Sequence, residues 1–245
     1  MMDEEDLFGE ILYAHYKGED SDHVIERDDG YLSIYESASF YFREFKDWSD
    51  LEKEAMYYVG GKILDVGCGA GRHSLYLQKN KFNVLSIDNS PGAIKVCKLR
   101  GTRNAKLLSL NDIQPNLGMF DTIIMMGNNF GLFGNPTNAK RLLKIFYKIT
   151  SDEATIVAPS VNTYNTKNKD HLDYIESNIS RGRIGGQVII RTRFKKLISS
   201  WMDLLLVSQE EMEEILKGTG WKLKHILQEQ DGSASYIAIL GKVNS

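Results

Sequence analysis

The sequence predicts an α/β protein: a doubly wound, mostly parallel sheet with an antiparallel hairpin at its C-terminal end and a helical cap ahead of it. Three observations predict it. From Gly61 onward, short apolar runs alternate with longer segments of helical period, the pattern of strands joined by crossover helices. The stretch "KILDVGCGAGRHSLYL" sets three glycines at alternate positions between an apolar run and a run of helical spacing. The chain closes on "WKLKHIL" and "SYIAILG", which read as a hairpin across the turn "QEQDGSA".

Taken in order, residues 1–58 form the cap, with helical spacing and many aromatics between Phe40 and Val59, and residues 59–245 form the core. Lys62 to Val66 is the first core strand, and a helix opens near Gly71 with Leu75 and Leu77 beginning its buried side. Val84 to Ile87, closed by Asp88, is the second strand. Ser90 then caps a helix with Pro91 at its first position, and Gly101 ends it. Lys106 to Leu110 makes a third strand. "MFDTIIMM" is apolar on both faces, as a central strand requires, and Gly127 stops it. A helix around Ala139, Leu142, Leu143 and Phe146 leads to a fifth strand, Ala154 to Ala158. Residues from about 159 to 200 read as an insertion, polar at first and then alternating in "QVIIRTRFKKLIS". In "SQEEMEEILKGTG", Ser208 and Glu211 form a capping box, Met212, Ile215 and Leu216 make the apolar stripe, and Gly218 stops the helix.

Composition bounds the function. With 245 residues and 42% hydrophobic content, the chain buries one large core, or one core plus a small cap. A net charge of −3 gives no global attraction to nucleic acid or acidic membranes. The two cysteines, Cys68 and Cys97, lie inside expected elements and not in metal-ligand spacing, which argues against a disulfide scaffold or a zinc site. The N-terminal "MMDEEDLFGE" is acidic where a leader is basic, and no apolar run approaches the ~20 residues of a membrane span. A cytoplasmic chain with no membrane partner and no metal is therefore expected.

A strand running into Gly67-Cys68-Gly69-Ala70-Gly71 and then a helix must turn sharply, and glycine lets backbone N–H groups approach a ligand. Asp88, at the end of the second strand, stands where a carboxylate accepts the hydroxyls of a ribose. Two ligand classes compete. Dinucleotides favour G-x-G-x-x-G, whereas this chain has G-x-G-x-G with Asp65 two residues ahead of the first glycine. An acid there suits the ammonium of an amino acid and would repel a diphosphate.

"ILDVGCGAGRHSLYL", "VLSIDNSPGAI", "LLSLNDI" and "FDTIIMMGNNFGLF", in this order, resemble the successive motifs of class I S-adenosylmethionine-dependent methyltransferases. The resemblance runs from about Tyr58 to the C-terminus and implies the Rossmann-like fold of seven strands whose last is antiparallel. It also implies S-adenosylmethionine as cofactor and S-adenosylhomocysteine as product. On this pattern Asp65, Gly67, Gly69 and Gly71 line the methionine end, Cys68 and Arg72 are further cofactor-binding residues, Asp88 binds the ribose, and Asn89 lies beside the adenine. Asn111, Asp112 and Ile113 follow at the adenine, with Asp112 accepting its amino group and Ile113 adding a backbone N–H. Met126, Gly127 and Asn128 face the transferred methyl. An Asx-turn or helix cap is the competing reading of Asp112.

The motifs encode binding more than chemistry. Candidates for a general base are His171 and Tyr164 in the insertion, with Tyr174 beside them, while Asn128 and Asn129 are placed to orient an acceptor. "GNNF" lacks the prolines of amino-methylating nucleic acid enzymes, neither cysteine adjoins that loop as cytosine C5 chemistry requires, and the neutral Asn128 and Asn129 offer no catechol-type metal site. A small-molecule acceptor leads; an RNA or protein acceptor and a non-catalytic S-adenosylmethionine-binding module are the alternatives. Arg191, Arg193 and Lys195 give the insertion a basic side, read first as a solvated strand face and otherwise as a seat for an anionic small substrate or RNA backbone. In "SASFYFREFKDW", core packing accounts for most aromatics, and Tyr41 is the choice for a lid over the cofactor's methionine end.

Overall fold

A computed structural model describes residues 6–229 and 232–243. The acidic start of the chain, residues 1–5, and positions 230 and 231 inside the expected turn "QEQDGSA" lie outside the described residues.

Among the described residues twelve strands and seven α-helices follow one another. Helix α1 (Leu7–Tyr16) precedes strands β1 (His23–Arg27) and β2 (Leu32–Tyr35). After two short 3-10 turns comes α2 (Asp50–Ala55), and the alternating part then begins: β3 (Lys62–Val66), α3 (Arg72–Lys79), β4 (Asn83–Asp88), α4 (Pro91–Leu99), β5 (Ala105–Leu107), β6 (Phe120–Ile124), α5 (Pro136–Lys148) and β7 (Thr150–Val161). The insertion supplies α6 (Lys169–Ser180), β8 (Gln187–Phe194) and β9 (Leu197–Ile198), and β10 (Met202–Leu205) follows it. Helix α7 (Gln209–Leu216) and strands β11 (Trp221–Gln228) and β12 (Ser235–Lys242) close the chain.

Seven strands form one sheet in the order β11-β12-β7-β6-β3-β4-β5. Its interior is parallel, as in the β6–β7 and β4–β5 pairs, and β12 runs antiparallel to both β7 and β11. Sequence explains this order locally. β6 is buried at four of its five positions, the all-round apolarity a central strand needs. The helix starts use the expected chemistry: Ser90 accepts from the Ala93 N–H with Pro91 at the first position, and both halves of the Ser208–Glu211 capping box are made.

Three expectations need correction. The residues ahead of the core are not a helical cap throughout, because β1 and β2 form a hairpin across Asp28-Asp29-Gly30 and join β8 and β10 in a second sheet, ordered β10-β8-β1-β2, with β9 paired to β8. Phe40 to Val59 holds short 3-10 turns and only six residues of α-helix. The third core strand is shorter than expected and starts earlier, since Leu110–Asp112 curls into a 3-10 turn.

By internal packing the described chain divides into two compact units. The first holds the segment through Trp48, Leu64–Asp112 and Ile189–Met202; the second holds Ser49–Ile63, Ile113–Val188 and the chain from Asp203. The first unit's core joins Leu7, Ile11 and Leu12 of α1 with Ala93 and Val96 of α4 and Phe194 of β8. In the second, Leu142, Leu143 and Phe146 of α5 and Met212, Ile215 and Leu216 of α7 are buried stripes at helical spacing. Among the described residues no helix is long and apolar enough to cross a membrane.

Candidate functional site

The turn after β3 is the centre of the first unit's site. Gly67 and Cys68 both donate their N–H to the Ile87 carbonyl at the end of β4, at 2.9 and 3.0 Å, so the turn is sewn to the neighbouring strand. Gly69 and Gly71 are glycines for different reasons. Gly69 sits at φ 53°, where its missing Cβ would make only ordinary contacts, 3.9 Å from Phe8 Cζ and Tyr41 Cδ1; the backbone conformation demands glycine there. At Gly71 a Cβ would lie 2.6 Å from Cys97 Sγ and 2.9 Å from Thr102 Oγ1, so packing demands it as well.

Two carboxylates meet this turn. Asp88 is buried, and its Oδ2 accepts from the Gly69 N–H while its Oδ1 accepts from the Ser90 N–H, both at 2.9 Å. Burial pushes its carboxyl up, and the backbone N–H groups of Ser90 and Gly69 hold it back. A carboxylate offers about four lone-pair sites, so acceptor capacity remains. Asp65 is 2% exposed and accepts from Ser74 Oγ at 2.5 Å, and Ser74 in turn shares a 2.6 Å hydrogen bond with Ser86. Full burial pushes the Asp65 carboxyl up to about 7, opposed by the Ser74 hydroxyl and reinforced by the Asp88 charge. The buried side of α3 thus begins with Arg72, His73 and Ser74 and not with Leu75, because this face serves the acid of β3.

Arg72 packs its guanidinium 4.2 Å from the Phe40 ring centroid and 5.8 Å from that of Trp48, and its positive charge lowers the Asp65 carboxyl. Tyr41 and Phe8 meet edge to face at 5.2 Å on the Gly69 side of the turn. Arg100 fastens the neighbourhood: its Nη1 donates to the Ala70 carbonyl at 2.6 Å and to the Tyr41 carbonyl at 3.4 Å, and its Nη2 to the Phe42 carbonyl at 3.3 Å. Asn89 follows Asp88 directly and is exposed. Asn111 and Asp112 lie in the 3-10 turn with exposed side chains; Ser109 Oγ, not Asp112, accepts the local backbone N–H, that of Asn111 at 3.2 Å. The Asx-turn reading of Asp112 therefore lacks a hydrogen bond among the described residues.

Phe8 and Arg100 lie outside the motif stretches and Ser74 and Ser86 inside them, and the sequence singles out none of the four. Ser74 had a signal, a small hydroxyl on the buried face of a helix following an intrastrand acid. Phe8 had none, because its approach to Gly69 depends on how α1 packs on α4.

In the second unit, Ile113 is buried, Met126 is 4% exposed, and Gly127 and Asn128 both adopt left-handed backbone, at φ 74° and 63°. A Cβ on Gly127 would meet nothing within 4 Å, so open space surrounds it. Asn128 ends this bend with an exposed side chain, and the Asn129 N–H returns to the Met125 carbonyl. His171 is half-buried in the first turn of α6. Tyr164 is tied down: its hydroxyl donates to Glu211 Oε1 at 2.5 Å and accepts from the Gly185 N–H at 3.2 Å. Burial, with the Glu211 hydrogen bond and charge behind it, pushes this phenol up to about 12. Among the described residues no group of three or more His, Cys, Asp or Glu side chains is placed to hold a metal ion.

The basic side of the insertion is bracketed by an acid the sequence reading had not paired with it. Glu26 of β1 receives Arg191 Nε at 2.7 Å and Nη2 at 3.0 Å, and Arg193 Nε at 2.6 Å, and these donors hold its carboxyl down at about 2. Arg191 also stacks on Trp201, 4.3 Å from its ring centroid. A bare cationic face for RNA is not what this strand presents.

Residues 63–152 match the family model described as "Methyltransferase domain". The chain is 25% identical over 154 residues to glycine/sarcosine N-methyltransferase from Halorhodospira halochloris, an alignment covering 60% of this chain and 58% of that protein. The chain thus spans somewhat over half the length of that relative. Its fold is similar to an S-adenosylmethionine-dependent methyltransferase from Bacteroides fragilis solved with S-adenosyl-L-homocysteine, at a TM-score of 0.83 and 24% identity over 100% of this chain and 98% of the other. The CcbJ methyltransferase from Streptomyces caelestis matches at a TM-score of 0.63 with 9% identity, over 82% and 95%. At these identities the structural likeness establishes the fold.

Proposed function

We propose that this chain is a class I S-adenosylmethionine-dependent methyltransferase that transfers a methyl group to an amine, hydroxyl or similar nucleophile of a small molecule, a reading supported by the family model over residues 63–152 and by the structural likeness. The observation that carries this reading is the Gly69 N–H to Asp88 bond, which sets a buried acid directly on the glycine turn.

The residues fit the cofactor on their own chemistry. Two buried acids at one turn, Asp65 and Asp88, oppose a diphosphate and suit a ligand that brings an ammonium and a pair of hydroxyls. We assign the ribose hydroxyls to Asp88 and the ammonium to Asp65, held in place by Ser74. Arg72 takes the carboxylate, Asn89 lies beside the adenine, and Asn111, Asp112 and Ile113 serve its edge. S-adenosylmethionine supplies a methyl group on a sulfonium, already activated for displacement.

The chain's own contribution is then mainly positioning, an effect worth on the order of 7–11 kcal/mol where two reactants are held in line. Met126, Gly127 and Asn128 are assigned to the methyl side, with Asn128 and Asn129 orienting the acceptor. His171 remains the candidate base. Tyr164 is withdrawn from that role, since a phenol at about 12 that donates to Glu211 keeps its proton at neutral pH. The relative from Halorhodospira halochloris is named for N-methylation of glycine and sarcosine, which supports putting small amines first among acceptors.

Calorimetry with S-adenosylhomocysteine and with NAD tests the cofactor. Binding of the first and not the second is expected; tight NAD binding with no response to S-adenosylhomocysteine would overturn the reading. A panel of glycine, sarcosine, amino sugars and small hydroxylated compounds, followed by S-adenosylhomocysteine release, then tests the acceptor class. Turnover on RNA or protein alone would refute a small-molecule acceptor.

A further inference from the structure

The chain's two cysteines are both free and buried, and they touch. Cys68 is the second residue of the glycine turn, Cys97 lies near the end of α4, and their Sγ atoms are 3.9 Å apart. Ile94 and Ala105 complete an apolar cluster around them. On the far side, Cys97 Sγ donates to Thr102 Oγ1 at 3.2 Å and occupies the space a Gly71 Cβ would need. One sulfur of the pair therefore belongs to the turn and the other abuts the residue that ends it.

The two thiols are not equivalent. The hydrogen bond to Cys97 and then burial push Cys68 well above the ordinary thiol range, whereas the same hydrogen bond draws Cys97 down. Cys97 is the more acidic thiol of the two, next to the Cys68 Sγ and the Thr102 hydroxyl. A thiolate beside a second thiol is the arrangement that oxidises to a disulfide.

We propose that Cys68 and Cys97 form a redox modification site, closing to an intramolecular disulfide under hydrogen peroxide and thereby weakening cofactor binding at the glycine turn. The proposal rests on the reading of that turn as the S-adenosylmethionine site. Peroxide enters from the Cys68 side, where 8% exposure remains against 0% at Cys97. The Cys97 thiolate attacks one peroxide oxygen: an S–O bond forms, the O–O bond breaks, and the departing hydroxide takes up the thiol proton as water. Cys68 then attacks the sulfenic sulfur. The S–S bond forms, the S–O bond breaks, and hydroxide leaves with the Cys68 proton as a second water. Two thiols and one peroxide give one disulfide and two waters, the sulfurs losing two electrons and the peroxide gaining them. A dithiol reverses it by exchange.

Closure has a structural consequence because a disulfide is about 2.05 Å long, so the sulfurs must approach by about 1.9 Å. The turn is the element that carries this movement into the site. Its Gly69 N–H holds Asp88 Oδ2 and its Cys68 N–H holds the Ile87 carbonyl. Drawing Cys68 toward α4 shifts the donors that orient the ribose acid. By linkage, bound S-adenosylhomocysteine should slow closure, since it favours the reduced geometry.

Reduced protein treated with hydrogen peroxide should lose both titratable thiols and the mass of two hydrogen atoms, with no covalent dimer on a non-reducing gel. Its Kd for S-adenosylhomocysteine should rise at least tenfold and return after dithiothreitol. Cys97→Ala should keep its affinity through the same treatment. The proposal fails if both thiols persist, if the mass gains oxygen without loss of hydrogen, or if the disulfide forms and affinity does not change. Should Cys97→Ala not fold, the thiol titration and mass of the unaltered protein still decide. If the reduced protein does not bind S-adenosylhomocysteine at all, the cofactor reading fails, and with it the proposed effect on binding. The mass measurement reports disulfide formation separately.

Discussion

The backbone N–H of Gly69 donates to Asp88 Oδ2 at 2.9 Å, so the glycine turn and the acid at the end of β4 are one structural unit. Truncating Asp88 consequently does two things. Asp88→Ala removes the acceptor for the Gly69 and Ser90 N–H groups, both buried, and a buried polar group left unsatisfied costs about 1–3 kcal/mol. It also removes the proposed ribose contacts, at about 1.5–3 kcal/mol for each hydrogen bond to a charged group. Asp112 is exposed. Asp88→Ala should weaken S-adenosylhomocysteine binding by tenfold or more and lower Tm, whereas Asp112→Ala should weaken binding less and leave Tm in place. Calorimetry and thermal melts read both; equal and negligible losses of affinity would show that the motif register is wrong.

Asp65 makes stability depend on pH in a direction that can be worked out. Its carboxyl rises from the ordinary 3.8 to about 7 on folding because burial disfavours the ion. Between about pH 4 and 7 the folded state therefore holds a proton that the unfolded chain has released, so stability is highest below that window and falls as pH rises through it. Each unit of displacement is about 1.4 kcal/mol. Asp65→Asn should flatten the fall in denaturant midpoint across this window. If an ammonium ion binds there, cofactor binding at pH 6 should expel close to one proton, which calorimetry in buffers of different ionisation enthalpy measures. Proton uptake instead would remove Asp65 from the ammonium site.

How much of this was legible in the sequence depends on the range of each interaction. The strand before the glycines, the Ser90–Pro91 helix start and the Ser208–Glu211 capping box are local, and each appears as written. The β1–β2 hairpin was missed although Asp28-Asp29-Gly30 stands between two alternating runs, because the dense aromatics that follow favoured a helical reading. Glu26 between Arg191 and Arg193 was beyond reach, since a β1–β8 pairing joins residues far apart in the chain. The Phe8–Gly69 approach is of the same kind, set by the docking of α1.

That docking is itself testable. A Cβ on Gly9 would lie 2.7 Å from the Gly92 Cα, and one on Gly92 would lie 2.6 Å from the Gly9 Cα, so α1 and α4 pack backbone to backbone. Asp6 links them, its Oδ1 accepting from the Gly9 N–H at 3.1 Å and its Oδ2 from the Gly92 N–H at 2.6 Å. Gly9→Ala should gain up to about 1 kcal/mol of helix propensity, yet forcing atoms into a packed contact costs typically about 1–3 kcal/mol. A net fall in stability by chemical denaturation is expected, and a rise would show that the helices part without penalty.

The last prediction concerns Tyr41, whose ring stands beside Gly69 and meets Phe8 edge to face. Burial pushes its phenol up, which keeps the ring neutral. The segment that carries it is short 3-10 structure fixed by Arg100 through the carbonyls of Tyr41 and Phe42, with Ala70 of the turn on the same guanidinium. Arg100 is thus a single side chain that ties this segment to the turn. If the segment closes over the cofactor, hydrogen exchange across residues 37–48 should slow on adding S-adenosylhomocysteine. Tyr41→Ala should then cut turnover more than it lowers Tm, and Tyr41→Phe should retain most activity because the ring does the covering. Unchanged exchange, with a large loss of stability in Tyr41→Ala, would instead make Tyr41 a core residue of the first unit.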